Sequence, residues 1–168
     1  MIITYQGQEN FTIKTKQTIK IGQRIALGGL EITTPGEYES GGVQLEVHDG
    51  IIEVFCEKMT ICWLKKAKVL SDEEVEKLDG INILIIGVGG GEFSETKTAI
   101  DVINQIEPQI VIPMYSQNSP AGKAGLESFL KEEGVANEGL PQLKISLNEL
   151  PQEERKVIVL NPATQSGE

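Results

Sequence analysis

The pattern of apolar and polar residues changes near residue 65 of this 168-residue chain. Before that point, short segments alternate between apolar and polar positions, which is typical of antiparallel strands with one buried face. After it, continuous apolar runs alternate with segments of helical periodicity, which favours βαβ units. The pattern therefore predicts an α+β fold in which N-terminal antiparallel strands are followed by βαβ units with outer helices.

The segment 43–64 predicts a three-stranded antiparallel meander. Asp49-Gly50 favours a two-residue hairpin loop, and a second turn falls at Glu57-Lys58. In this register one face of the sheet is apolar and the other is mostly polar. Cys56 and Cys62 point to opposite faces of the sheet, so we expect no disulfide bond between them.

The second half of the chain carries the signals of helices and buried strands. Ser71 opens a capping box with Glu74, Ser94 is the predicted cap of a second helix, and a third helical pattern stops at Gly134. The segments 81–88 and 110–114 are apolar on both faces, which indicates central strands. A last strand is predicted over 156–160.

Composition and charge exclude several classes of function. A chain with 39% hydrophobic residues can form one core, so we expect a single domain over residues 1–162 and a disordered tail over 163–168. The net charge of -10 repels phosphate groups, so neither nucleic acid nor membrane is an expected partner. No apolar run approaches the ~20 residues that cross a bilayer. Reduced cysteines fit a cytoplasmic protein.

Three local features could carry chemistry, and each has a structural alternative. The loop GVGGGE at 87–92 follows a strand, as phosphate loops do, but Glu92 occupies the third glycine position of the dinucleotide motif, which favours a tight turn. Glu37 and Glu39 could act as an acid/base pair or be solvated turn residues. His48, the only histidine, is predicted to be a solvated hairpin residue, and one histidine is too few for most catalytic zinc sites.

Five segments in order along the chain resemble the small metallo-β-lactamase-fold hydrolases of the "Zn-dependent hydrolase" group. They are TYQGQENF at 4–11, PGEYE at 35–39, ICWLKKAKVLSDEE at 61–74, IIGVGGG at 85–91 and VIPMY at 111–115. The resemblance implies a metallo-β-lactamase-like sandwich of the αββα type. It also implies where the metal ligands of the family would stand.

The departures from the family pattern fall on those metal positions. Gln8 replaces the first histidine, Lys66 replaces the aspartate of L-G-D after one residue of gap, and Tyr115 replaces the last histidine. The motif H-x-H-x-D-H has no counterpart. An amide, an ammonium and a phenol do not match the ligands that two zinc ions require. The resemblance therefore implies a shortened member of the family without a metal centre and without a cofactor.

These observations predict a catalytically inactive binding or assembly module. The uncovered sheet predicts a homodimer, and a vestigial pocket is predicted to bind a small molecule. Its residues are Gln8, Glu37, Tyr38, Lys66, Gly89, Gly90, Gly91, Glu92 and Tyr115. We hypothesise that Lys66 is a buried charge that pairs with Glu92 or Glu37 in place of a metal ion.

Three alternatives remain open at this point. The chain could be a hydrolase with a divergent metal site, or a metal-free hydrolase that uses Tyr115 and Lys66 as acid and base. Nucleotide binding at the triglycine loop is the third.

Overall fold

The computed structural model describes residues 1–163 as two β-sheets with helices, sharing one hydrophobic core. The first sheet is antiparallel and has the order β12-β1-β2-β3-β4-β5. Its strands are β1 (Ile2–Gly7), β2 (Asn10–Lys14), β3 (Thr18–Ile21), β4 (Ile25–Leu27), β5 (Leu30–Ile32) and β12 (Leu143–Lys144). The chain therefore continues from β3 into the hairpin β4–β5 before it reaches the second sheet.

The second sheet has the order β13-β11-β10-β9-β8-β7-β6. Its strands are β6 (Gly36–Ser40), β7 (Val43–His48), β8 (Ile51–Cys56), β9 (Met59–Leu64), β10 (Ile83–Gly87), β11 (Ile110–Met114) and β13 (Lys156–Val157). Pairing is antiparallel from β6 to β9 and parallel from β9 through β10 and β11 to β13. The predicted α+β fold, antiparallel before residue 65 and βαβ after it, is confirmed.

The predicted meander is confirmed in register. His48 pairs with Ile51 across the first turn, and Cys56 pairs with Met59 across the second. The residues of both turns have positive φ, as two-residue hairpin loops of type I′ require. Cys56 and Cys62 are buried free thiols. Alternate side chains of a strand face opposite sides of the sheet, and the strand register places the two cysteines on opposite faces.

The helices are α1 (Asp72–Lys77), α2 (Thr96–Ile106) and α3 (Pro120–Glu133), and a 3-10 turn spans Leu147–Glu149. The capping box of α1 and the stop of α3 at Gly134 are confirmed. The predicted cap of α2 is wrong: Glu95 is the N-cap, and the buried hydroxyl of Ser94 accepts a hydrogen bond from the Ala67 N–H at 2.8 Å. Ser94 thus satisfies a backbone donor of the segment that follows β9.

The C-terminal segment is less regular than its apolar pattern predicts. Strand β13 ends at Val157, and Leu160 forms an isolated bridge with Leu140. Ala163, the first residue of the predicted tail, donates its N–H to the Tyr5 carbonyl at 2.7 Å. The rest of that tail, 164–168, lies outside the described residues.

The helices cover only part of the second sheet. Helix α2 buries Ala99, Val102, Ile103 and Ile106, and β10 and β11 are buried along their whole length. The side of β6, β7 and β8 that faces away from the core, which we call the outer face, instead exposes Glu37, Glu46 and Phe55. None of the helices in residues 1–163 is long and apolar enough to span a membrane.

Candidate functional site

The carboxyl ends of β9, β10 and β11 meet the turn between β1 and β2. In open sheets with parallel strands, ligands bind beyond the carboxyl ends of the strands, because loops from neighbouring strands converge there. The structure places Gln8, Lys66, Tyr115 and the glycine loop 89–91 at this edge, since they follow β1, β9, β11 and β10 directly. We call this region the strand-end site.

Tyr5 organises the strand-end site through its buried hydroxyl. This oxygen accepts hydrogen bonds from the Tyr115 N–H at 3.1 Å and from Gln117 Nε2 at 2.8 Å. It donates to the Gln8 carbonyl at 2.5 Å. Burial raises the pKa of Tyr5 far above its ordinary value, so the hydroxyl keeps the proton that it donates.

Gln8 and Tyr115 belong to this Tyr5 cluster. Gln8 has a positive φ of 52°, and its N–H donates to Gln117 Oε1 at 2.6 Å. The Tyr115 ring is only 8% exposed and meets the Tyr5 ring edge-on, with 6.1 Å between centroids. At Gln8 and Tyr115, which sequence analysis matched to two histidines, the main chain is therefore hydrogen-bonded within the protein.

The cluster also contains residues that sequence analysis missed. Tyr5 was not among the predicted site residues; a buried phenol needs a hydrogen-bond partner, and that need was the available signal. Gln117 lies in the polar loop after β11, and no sequence pattern marks it.

The structure contradicts the hypothesis that Lys66 is a buried charge. Lys66 is exposed, and its Nζ donates to the Gly91 carbonyl at 3.0 Å. No carboxylate in the described chain lies within ion-pair distance of it. The chain leaves the end of β9 with Lys66 directed to solvent, so neither Glu92 nor Glu37 is its partner.

The neighbouring residue Lys65 makes the ion pair instead. Its Nζ lies 2.9 Å from Glu9 Oε2, and both side chains are about three-quarters buried, with exposures of 25% and 22%. The same Nζ lies 5.7 Å from the centre of the Phe93 ring. Trp63 donates its indole N–H to the Glu9 carbonyl at 3.0 Å. The partly buried ion pair at the end of β9 is therefore made by Lys65, one residue before the predicted Lys66.

The triglycine loop packs closely against α3. A Cβ on Gly125 would lie 2.3 Å from the Gly89 Cα, which no side chain tolerates. The loop residues Gly89, Gly90 and Gly91 have φ of 95°, 79° and 69°, a region that favours glycine. Close packing and backbone conformation therefore account for the glycines, as the tight-turn interpretation predicts.

A small cavity of about 180 Å³ lies between this loop and the start of α3, and Ser116, Ser119 and Glu92 are among its lining residues. Glu92 is exposed, and the Glu95 carboxylate lies 3.1 Å from the point where a Cβ on Gly90 would stand. These acidic groups oppose a phosphate, so the surroundings do not favour a nucleotide.

Glu37 and Tyr38 lie in β6 at the far edge of the second sheet. They line a separate concavity of about 540 Å³ together with Glu46, Glu53 and Phe55. Glu37 is exposed, and the Tyr38 hydroxyl donates to the Thr34 carbonyl at 2.5 Å. Gln8, Lys66 and Tyr115 line neither of the two cavities. The nine predicted pocket residues are thus distributed over the strand-end site and strand β6.

The donors at the strand-end site do not fit a zinc centre. Zinc is held by deprotonated thiolate, neutral imidazole or carboxylate groups. Gln8 offers an amide and Tyr115 a phenol, Lys66 is a cation, and the Glu9 carboxylate is paired with Lys65. A metal-bound hydroxide at this place would have no adequate set of ligands.

A cluster of side chains that could bind a metal ion occurs elsewhere in the described chain. One oxygen each from Glu46 and Glu53 and one ring nitrogen of His48 all lie within 4.8 Å of one another. His48 Nε2 lies 3.2 Å from Glu53 Oε2 and 3.7 Å from Glu46 Oε1, and its side chain is 33% exposed. His48 is a partly exposed residue of the hairpin, and the strand register additionally brings two carboxylates to it.

Solved structures share this fold over nearly the whole chain. A proposed Zn-dependent hydrolase of the metallo-beta-lactamase superfamily from Thermotoga maritima is 24% identical with a TM-score of 0.77, over 95% of this chain and 98% of that one. Igni18, a metallo hydrolase from Ignicoccus hospitalis, is 11% identical with a TM-score of 0.65, over 97% and 96%. No curated protein matches the sequence.

The comparison with protein families agrees with the architecture. The model of the beta-lactamase superfamily domain matches residues 5–115, from the tyrosine that organises the strand-end site to the tyrosine that ends β11. The chain belongs to the beta-lactamase superfamily.

Proposed function

We propose that this chain is a catalytically inactive member of the superfamily that acts as a binding or assembly module. The Tyr5 cluster is the observation that supports the proposal. At the strand ends, the buried hydroxyl of Tyr5 is hydrogen-bonded to main-chain groups of Gln8 and Tyr115 and to the side-chain amide of Gln117. The polar groups of the strand ends thus bond to one another.

The electrostatics of the strand-end site support the same proposal. The carboxylate of Glu9 is neutralised by Lys65, and the ammonium of Lys66 lies on the Gly91 carbonyl. With Lys65 paired to Glu9, the ammonium of Lys66 remains at the end of β9 and opposes a divalent cation next to it. A metal ion would have to displace the Lys65–Glu9 pair and release a partly buried charge.

The metal-free hydrolase receives no comparable support. Tyr115 would have to reach a substrate, yet its side chain is 8% exposed. Lys66 would have to share a proton with it, yet none of the hydrogen bonds between described residues joins Lys66 to Tyr115. A general base and acid need hydrogen-bond reach of the reacting atoms, which this arrangement does not provide.

The size of the strand-end cavity favours a macromolecular partner. Its volume of about 180 Å³ is below the ~300 Å³ at which pockets for drug-sized ligands begin. We therefore place binding on the surfaces of the sheets. A ligand confined to this cavity would have to be smaller than a drug-sized molecule.

We propose a second copy of the chain as one such partner. Strand β5 is the outermost strand of the first sheet, and Leu30 on it is 57% exposed. An edge strand with free backbone groups and an exposed apolar side chain is a typical pairing surface. Sedimentation velocity over a wide concentration range should show a dimer that is weakened by Leu30→Lys; a strict monomer at high concentration would contradict the proposal.

Metal content tests the catalytic part of the proposal. Protein carrying His48→Gln, which removes the cluster on the outer face, is purified without chelators, equilibrated with zinc or manganese, and analysed for metal. We expect less than about 0.1 equivalent, because the remaining donors do not form a metal site. One or two equivalents of metal in this variant would show a strand-end metal centre. That result would favour a hydrolase with a divergent metal site over the inactive module.

A further inference from the structure

The outer face carries a row of three glutamates on adjacent strands. Glu37 of β6 pairs with Glu46 of β7, and Glu46 pairs with Glu53 of β8. Like charges directly opposite one another in neighbouring strands destabilise a sheet. Repulsion among these three carboxylates therefore destabilises the sheet unless another group offsets it.

The imidazole of His48 lies next to this row of glutamates. His48 follows Glu46 by two residues on β7, so both side chains are on the same face. Its Nε2 faces the carboxylates of both Glu46 and Glu53. Within residues 1–163 no lysine or arginine lies within ion-pair distance of Glu37, Glu46 or Glu53.

We infer that Glu46, His48 and Glu53 form a binding site for a divalent transition-metal ion, with zinc as the representative. The inference goes beyond the proposed function, because the site is on the outer face and uses no residue of the strand-end site. One imidazole nitrogen and two carboxylate oxygens within 4.8 Å of one another are a ligand set that zinc accepts. The ion is bound by Nε2 and by the two carboxylates and offsets the repulsion between them.

The fold holds these ligands on a rigid frame. Glu46 and Glu53 are directly paired residues of the β7–β8 hairpin, and His48 pairs with Ile51 next to the hairpin turn. Ligands on regular strands are positioned more accurately than ligands on loops. Glu46 and Glu53 also line the open concavity of about 540 Å³, so an ion enters from solvent and keeps a position free for water.

The imidazole determines which ions the site selects. Magnesium and calcium prefer oxygen ligands, whereas imidazole suits zinc, copper and nickel. A surface that is only acidic would attract zinc and magnesium alike, and its binding of either ion would not depend on His48. Magnesium is therefore the informative competitor, and His48→Gln is the informative variant.

The experiment is a calorimetric titration of zinc chloride into the wild-type chain and into three variants. His48→Gln and Glu53→Gln each remove one ligand. Glu39→Gln is the matched control, since Glu39 is exposed on the same face and belongs to the next row, opposite Gln44. Far-ultraviolet circular dichroism confirms that each variant is folded before it is titrated.

We expect one zinc ion per wild-type chain, unchanged in Glu39→Gln. Both ligand variants should weaken binding by about 100-fold, the upper end of the loss caused by removing a supporting group around a metal ligand. The ring signals of the single histidine should shift in the NMR spectrum with zinc and stay in place with magnesium. Absence of saturable zinc binding would overturn the inference, as would zinc binding that survives His48→Gln or an equal response to magnesium.

Discussion

Replacing Tyr5 by phenylalanine tests whether the Tyr5 cluster stabilises the strand-end site. The substitution removes one oxygen and keeps the ring, which stacks on Phe11 with 4.4 Å between centroids and is fully buried. The oxygen is the acceptor for the Tyr115 N–H and Gln117 Nε2 and the donor to the Gln8 carbonyl. Three polar groups therefore lose a partner at once, while packing is unchanged.

The expected loss of stability follows from the burial of those groups. The bond to the Tyr115 N–H is buried, and an unsatisfied buried donor costs about 1–3 kcal/mol. The bonds to Gln8 and Gln117 are part-buried, so water can replace the hydroxyl at a cost of about 0.5–1.5 kcal/mol each. We expect Tyr5→Phe to lower the free energy of unfolding by about 3 kcal/mol in total.

Urea unfolding followed by Trp63 fluorescence measures this free energy, and Tyr38→Phe is the matched control. The Tyr38 hydroxyl bonds to Thr34 at the exposed surface, so its loss should cost less than about 1 kcal/mol. A loss below about 0.5 kcal/mol for Tyr5→Phe, or equal losses for both variants, would refute the role that we give to the cluster.

Three further expectations follow from burial and contact. Lys66→Met should change the free energy of unfolding by less than about 0.5 kcal/mol, because Lys66 is exposed; a loss near 3 kcal/mol would restore the buried-charge hypothesis. Gly125→Ala should destabilise the protein by at least about 1 kcal/mol although alanine favours helices, because the new Cβ meets the Gly89 Cα; Gly29→Ala, with open space around it, is the control. Burial raises the pKa of Cys56 to about 11, so in urea the thiols should react with a disulfide reagent at pH 8 at least ~10-fold faster than in the native protein.

Alkaline pH gives a further test of Tyr5. Burial raises the pKa of its hydroxyl above the value of about 10 in an unfolded chain. The folded protein thus keeps a proton that the unfolded chain releases, so this contribution to stability is complete below pH ~10 and is lost as the pH rises above it. The free energy of unfolding should fall less steeply above that pH in Tyr5→Phe than in the wild type; parallel curves would contradict the assignment.

Local sequence signals were sufficient where the physical cause is local. The Asp49-Gly50 turn determined the register of the β7–β8 hairpin, since positive φ at both positions and the alternation of side chains leave one pairing. The capping box at Ser71 began α1 as predicted. The prediction that Ser94 caps α2 was wrong, because its hydroxyl accepts a hydrogen bond from the N–H of Ala67, 27 residues earlier in the chain.

The sequence by itself determined the α+β fold and the buried strands, because these depend on residue type and periodicity along the chain; it also predicted the loss of the family's ligand residues. Only the tertiary structure decided which contacts the residues at the strand ends make and which charged side chains are neighbours. Tyr5 meets Tyr115 across 110 residues, and Lys65 meets Glu9 across the two sheets. Glu46, His48 and Glu53 form one cluster because pairing between strands, which no local pattern measures, fixes which side chains are neighbours.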